Sequence, residues 1–167
     1  MTDALLEQSW AVQVPGTPVP QGSMTCKGSR GPRKHNIESA NKKTLMPWRQ
    51  QIEAGGRILP ISGLTGPVTV EATFTIARPA SHYRTGRNAH LLKDGAPRWP
   101  HQSHGSAGGN GDDDKFARAV LDGLADAGVY GNDIQVCHLN VWKCYPDTPG
   151  CPDRLAEPGA VIRVWPL

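Results

Sequence analysis

Residues 112–133 read DDDKFARAVLDGLADAGVYGND, and this stretch organises both the fold and the candidate site. Three consecutive carboxylates precede an apolar stripe at helical spacing, formed by Phe116, Ala119, Val120 and Leu124. The spacing predicts an amphipathic helix that begins at the acids. Helix capping and the helix dipole account for one or two acids at such a start. A third adjacent carboxylate costs free energy unless a positive group lies among them.

The helix is followed by a turn and a strand. Gly128 and Gly131 favour the left-handed backbone that ends a helix, and residues 134–145 alternate in the manner of a β-strand. The return brings the strand back alongside the helix, and packing decides whether Asp133 faces the three acids. If it does, the acids form an oxygen-lined cage of the kind that magnesium or manganese prefers. Otherwise they are capping or solvated carboxylates.

The pattern resembles the hallmark of the RusA family of Holliday-junction resolvases. That hallmark is Pro-Asp-x-Asp-Asn-Leu-x-Lys-x-x-x-Asp, followed by an acidic turn that ends Asp-x-Gln-Val. The resemblance implies that Asp112, Asp114 and Asp133 are the catalytic acids and hold Mg²⁺, with Mn²⁺ as a substitute. It also places Arg118 at the position of the essential lysine, as a fourth catalytic residue.

The chain departs from the hallmark at several positions. Gly111 replaces the proline, Lys115 replaces the asparagine, and Arg118 keeps the charge of the lysine but not its shape. Arg118 either clamps the scissile phosphate or forms an intrahelical salt bridge with a neighbouring acid. Asp113 becomes a ligand if the register shifts by one residue, whereas Asp122 is interpreted as structural.

Charge is distributed unevenly along the chain, whose net charge is +3. Residues 22–98 hold thirteen Lys or Arg against four acids, whereas residues 112–133 hold six acids against two bases. A basic body with an acidic pocket is typical of nucleases, although a solvated basic face gives the same composition. The cations predicted to contact DNA are Lys27, Arg30, Arg33, Lys34, Lys42, Lys43, Arg84 and Arg87.

The rest of the chain predicts a single α+β domain over residues 1–167. Strands are predicted at 10–14, 67–77 and 160–165, and a helix at 45–54 that Gly55 and Gly56 end. Together with the 134–145 strand they predict a mixed sheet of about four main strands packed by two main helices, as in RusA-like proteins. Segments 22–41 and 100–111 are predicted to be mobile loops.

Composition and spacing limit the remaining possibilities. The 167 residues contain no apolar run of membrane-spanning length and no apparent signal segment, which predicts a cytoplasmic protein. In a phage-encoded protein this means the host cytoplasm. The four cysteines match no compact zinc pattern and are expected to be free thiols.

The resemblance implies a metal-dependent endonuclease that resolves four-way DNA junctions by paired symmetric nicks, in recombination and repair. It also implies a homodimer, because two symmetric nicks suit two active sites related by a two-fold axis. Two alternatives remain. One is a module that binds branched DNA without cutting it, and the other is a metal-dependent nuclease for flaps or single strands.

Overall fold

The computed structural model describes residues 9–29, 35–101 and 111–167. Six strands and two helices form its regular structure. In chain order they are β1 (Trp10–Pro15), β2 (Met24–Ser29), β3 (His35–Ser39), α1 (Lys42–Ile58), β4 (Val68–Thr75), α2 (Asp113–Asp126), β5 (Val136–Cys144) and β6 (Gly159–Pro166).

The main sheet has the strand order β1-β6-β4-β5, in which β4 and β5 run parallel and the other pairs are antiparallel. This mixed four-stranded sheet and the two helices confirm the predicted α+β class. Alternate apolar side chains of the β4 region, from Val68 to Ile76, are no more than 1% exposed. They join α1 and α2 residues in one core, so the start of α2 is fixed by packing of its apolar stripe. No helix of the described segments is long and apolar enough to cross a membrane.

The prediction that Gly55 and Gly56 end α1 is wrong. Both glycines are buried inside the helix, which continues to Ile58. A Cβ on Gly56 would lie 2.7 Å from the Cβ of Ala127, and one on Gly55 would lie 3.0 Å from a methyl carbon of Val12. The missing side chains therefore allow α1 to approach the end of α2 and strand β1 closely, and this packing offsets the low helix propensity of glycine.

The segment 22–41 also differs from the prediction of a loop without regular structure. Strands β2 and β3 pair antiparallel as a separate two-stranded sheet with a register shift between Cys26 and Ser29. Residues 30–34, including the predicted DNA contacts Arg30, Arg33 and Lys34, lie outside the described residues. Residues 102–110, most of the other predicted loop, lie outside them as well.

A buried arginine anchors the segment between β4 and α2. The side chain of Arg78 is 3% exposed, and it donates to Asp147 Oδ1 at 2.6 Å and to the carbonyl of Pro97 at 2.7 Å. Its guanidinium lies 4.2 Å from the ring centroid of Tyr145. Arg78 and Pro97 are thereby held against the turn that follows β5, and the nearby Trp99 lies next to Trp142 of that strand.

Candidate functional site

The acids at the start of α2 do not serve as side-chain caps. Asp112 occupies the N-cap position with an extended backbone, and its side chain makes no capping hydrogen bond. The backbone carbonyl of Asp112 instead accepts from the amides of Lys115 and Phe116 at 3.0 and 3.3 Å. Capping by side chains therefore does not explain the cluster, although Asp113 and Asp114 still lie at the positive end of the helix dipole.

The three acids have different partners. Asp112 forms an ion pair with Lys115 at 3.0 Å, and Asp113 forms one with Lys143 at 3.0 Å. The Lys143 side chain is only 15% exposed and also donates to the carbonyl of Gly111 at 2.9 Å. Asp114 has no ion-pair partner among the described residues. This difference favours Asp114 over Asp113 as a ligand for an added cation.

Asp114 and Arg118 line a small pocket of about 100 Å³ with residues 21–24 and Lys115. The two residues are four positions apart on α2 and so share a helix face. Arg118 is exposed and forms no ion pair with any residue in the described part of the chain. The intrahelical salt bridge that the sequence allows is therefore not formed, and the guanidinium is available to an anion.

The opposite wall of this pocket comes from the loop after β1. The amide of Gln21 donates to the carbonyl of Lys115 at 3.0 Å, so the loop is joined to the first turn of α2. The carboxamide oxygen of Gln21 is buried without a hydrogen-bond partner in the described residues. Unsatisfied buried acceptors are uncommon and costly in folded proteins, so the atom is a candidate contact for a bound group.

Asn41 fixes the loop. Its side-chain amide donates to the carbonyl of Pro20 at 2.8 Å, and its Oδ1 accepts from the amide of Gly22 at 2.7 Å. The hydroxyl of Ser39 donates to the same oxygen at 2.7 Å. A Cβ on Gly22 would lie 2.5 Å from Asn41 Oδ1, which explains the need for glycine there. One side chain thus connects the loop, the end of β3 and the start of α1.

Packing explains the glycine at position 111. A Cβ there would lie 2.5 Å from Pro20 Cγ and 3.3 Å from Phe116 Cε2. The proline of the family hallmark carries a Cβ and would therefore collide with Pro20. The two positions are coupled: this chain has proline in the loop and glycine before the acids.

Restoring the hallmark proline is expected to destabilise the protein. Gly111→Pro should lower the free energy of unfolding by about 1–3 kcal/mol, the usual cost of overpacking. Adding Pro20→Gly should recover part of this loss, since it removes the colliding ring. Chemical denaturation of the two single variants and the double variant measures the coupling. Strictly additive losses would show that the two positions do not interact.

Asp133 begins a 3-10 turn, Asp133–Gln135, that is held by several hydrogen bonds. Asn132 Oδ1 accepts from the amide of Ile134 at 3.0 Å, and Gln135 Oε1 accepts from the amide of Gly131 at 2.9 Å. Gln135 also donates to the carbonyl of Leu64 at 2.9 Å. The exposed carboxylate of Asp133 is therefore carried by a turn that is tied to the body of the domain.

The electrostatic neighbours of Asp133 lie in the middle of α2. Burial raises the pKa of Asp122, while Arg49 lowers it; Asp126 and Asp133 raise it further, and Arg118 lowers it. Burial also raises the pKa of Tyr130, with Asp133 as the next cause. Arg118 and Asp133 therefore both lie within electrostatic reach of Asp122.

The ion pair of Asp122 supports its structural interpretation. Arg49 on α1 lies 3.1 Å from Asp122 and 2.6 Å from Asp126, and so joins the two helices. These pairs hold the polar edge of the contact between α1 and α2. They give Asp122 a structural role in the contact between the two helices.

Asp122 predicts a pH dependence of stability. Its pKa is raised above the ordinary value of 3.8, so the folded state binds this proton more tightly than the unfolded state does. The stability that the protonated carboxyl contributes is complete below 3.8 and is lost as the pH rises through the folded pKa. As the pH rises from about 4 to about 7, the free energy of unfolding of Asp122→Asn should therefore increase relative to that of the wild type. Urea midpoints at both pH values test this, and an unchanged difference would contradict it.

The described residues do not contain an assembled metal centre. No three Asp, Glu, His or Cys side chains come together there in a way that would hold an ion. No disulfide joins the four cysteines, which all lie within the described residues. The donor chemistry nevertheless fits a hard cation, because Asp112, Asp114 and Asp133 present exposed carboxylate oxygens.

The predicted DNA contacts have varied surroundings. Lys42 pairs with Glu38 at 3.1 Å, and Arg84 pairs with Asp94 at 2.9 Å. Lys43 and Arg87 are exposed, and the backbone of Lys27 lies in β2. The sequence reasoning did not identify Gln21, Asn41 or Lys143 as site residues. A Gly-x-Pro-x-Pro-x-Gly loop at residues 16–22 was the available signal for the first of them.

The small mixed sheet supports a helix whose first turns carry several acids and an arginine without an ion pair in the described residues. A candidate site of this kind is typical of phosphoryl-transfer proteins. Comparison with protein families gives a match to the endodeoxyribonuclease RusA over residues 15–152. The chain therefore belongs to the RusA endodeoxyribonuclease family, and the resemblance in the sequence is confirmed. No curated protein matches the chain in a sequence comparison.

Membership of this family indicates the general activity of the chain. The family implies an endonuclease that resolves Holliday junctions and hence binds branched DNA. Its resolvases depend in general on divalent metal ions. The matched segment includes the loop after β1, the helix α2 and the Asp133 turn.

Proposed function

We propose that this protein is a metal-dependent endonuclease that resolves four-way DNA junctions by paired symmetric nicks, in recombination and repair. The observation that carries the proposal is the pocket in which Asp114 and Arg118 face the loop after β1. The pocket contains one carboxylate and one guanidinium, and neither group forms an ion pair with any described residue. A metal and a phosphate together would satisfy both groups.

In this proposal Asp112, Asp114 and Asp133 would hold Mg²⁺, for which Mn²⁺ would substitute. When bound, the ion supplies an activated water and positive charge at the scissile phosphate. Arg118 donates to the nonbridging phosphate oxygens and fixes the strand in the pocket. Lys115 keeps Asp112 oriented through their ion pair. Lys143 holds Asp113 away from the ligand set in the same way.

The DNA arms outside the site would lie against basic surfaces. Exposed Lys43 and Arg87 are candidate phosphate contacts, and Lys42 and Arg84 become so if DNA displaces their acidic partners. Lys27, Arg30, Arg33 and Lys34 are the other proposed phosphate contacts. Two copies related by a two-fold axis would supply the two nicks that a junction requires.

A substrate panel tests the proposal. The purified protein is incubated in Mg²⁺ with four-way junctions, flaps and linear duplexes of matched sequence. We expect symmetric nicks on the junction and little cleavage of the other two. Faster cleavage of flaps would identify a different nuclease, and junction binding without nicks in Mg²⁺ or Mn²⁺ would identify a binding module. Size-exclusion chromatography with light scattering tests the dimer.

A further inference from the structure

A second concave surface lies on the other side of the acid cluster. This indole groove, lined by Trp99, His101, Asp113, Trp142 and Lys143 among others, has a volume of about 390 Å³. It takes residues from β5, from the start of α2 and from the segment that Arg78 anchors. The groove has no role in the proposed cleavage chemistry.

Two tryptophans form the apolar part of the groove. The rings of Trp99 and Trp142 have centroids 6.2 Å apart and are tilted by 36°. Trp142 is 39% exposed although it is part of a strand, whereas Trp48 and Trp165 are 2% and 9% exposed. An indole left in water forgoes the large stabilisation that burial gives an aromatic ring. This arrangement therefore points to a partner that covers the ring when bound.

The charges around the indoles indicate the chemistry of that partner. Lys143, whose side chain is 15% exposed, also lines the groove, and Asp113 and the carbonyl of Gly111 hold its ammonium group. His101 contributes an exposed imidazole. A flat aromatic group that carries hydrogen-bond acceptors suits such a surface, because it stacks on indole and accepts from the cation. A nucleobase has both properties, whereas an aliphatic side chain has neither.

Neighbouring acids connect the groove to the candidate site. Asp113 lines the indole groove, whereas Asp114 lines the pocket that contains Arg118. The groove and the pocket therefore adjoin at the start of α2, so a strand whose phosphate lies at Arg118 would pass close to the groove.

We propose that the indole groove binds an unpaired base, which stacks on Trp142 beside the scissile phosphate. The placement beside that phosphate rests on the proposed function, but the stacking itself does not. In a four-way junction the base pairs at the branch point have fewer stacking neighbours than those of a linear duplex, so a base would leave its pair there at lower cost. The groove thus gives the protein a means to select branched over linear DNA.

Fluorescence anisotropy with single strands tests the stacking without cleavage. The full-length protein is titrated, in EDTA, with a labelled thymidine oligonucleotide and with an abasic strand of the same length. We expect the wild type to bind the thymidine strand about tenfold more tightly, since one stacked base contributes on that order. Trp142→Ala should remove this preference but keep the salt-dependent binding, and Trp142→Phe should retain most of it.

Leu139→Ala is the matched control, because Leu139 is on the same strand and is 40% exposed, almost as much as Trp142. It should leave the base preference unchanged. Equal affinity of the wild type for both strands, or a preference that survives Trp142→Ala, overturns the inference. If the wild type nicks junctions but shows no base preference, only the groove proposal is contradicted. If it shows the preference but nicks no junction, only the proposed function is contradicted.

Discussion

Asp114→Asn is expected to abolish junction cleavage, with a loss of at least about 10³-fold in kcat. The carboxylate has no ion-pair partner among the described residues and lines the pocket of Arg118, so it is available to a cation. The amide keeps the shape but loses the charge that a divalent ion requires. Single-turnover cleavage of a four-way junction in Mg²⁺ gives the rate. Junction binding should persist or tighten, because one repulsive charge is removed.

Asp113→Asn is the matched control for this variant, since it makes the same chemical change one residue away. Asp113 is already paired with Lys143, and we expect its loss to reduce the rate by less than about tenfold. If Asp113→Asn abolishes cleavage while Asp114→Asn does not, the two carboxylates have been assigned in the wrong register. Equal losses would mean that both acids are required.

Arg118→Ala should reduce the cleavage rate by about 10²–10³-fold, the usual cost of losing one donor to transition-state charge. The guanidinium is exposed, makes no ion pair in the described part of the chain and lies in the pocket of Asp114. It lies on the exposed face of α2, so its removal should leave the folded state intact. Thermal unfolding of the variant checks this, and single-turnover rates give the catalytic effect.

Arg118→Lys and Lys115→Ala separate the possible roles of this arginine. Lysine restores the family residue and should retain activity within about tenfold, although it cannot form a bidentate contact with phosphate. Lys115→Ala removes a cation of the same pocket that is already paired with Asp112, and should have a smaller effect than Arg118→Ala. A wild-type rate for Arg118→Ala would exclude the phosphate contact.

Periodicity predicted those parts of the fold in which one face is buried. The stripe from Phe116 to Leu124 and the alternation after Val68 both correspond to core positions. The same rules predicted that α1 ends at Gly55, which is too early. Local helix propensity takes no account of a second helix that packs closely against the glycines. The rules also missed strands β2 and β3, whose sequence contains few apolar residues to reveal a pattern.

One motif contains Asp112, Asp114 and Arg118, so their roles in the candidate site are predictions that the sequence alone provides. The parallel pairing of β4 and β5 brings Lys143 to the acids. Asn41 reaches the site through contacts with a loop about twenty residues earlier in the chain. Such contacts depend on tertiary packing, for which a single sequence has no local signal. The position of Asp133 relative to the other acids depends on packing for the same reason.

Cleavage of a mobile four-way junction in Mg²⁺ and in EDTA tests the central claim most directly. The purified wild type is mixed with end-labelled junction, and the products are resolved on denaturing and native gels. We expect paired nicks at symmetric positions in Mg²⁺ or Mn²⁺, and intact junction in EDTA. Nicks that persist in EDTA would contradict the metal-dependent mechanism. An intact junction in both metals, despite tight binding, would contradict the assignment as an active resolvase.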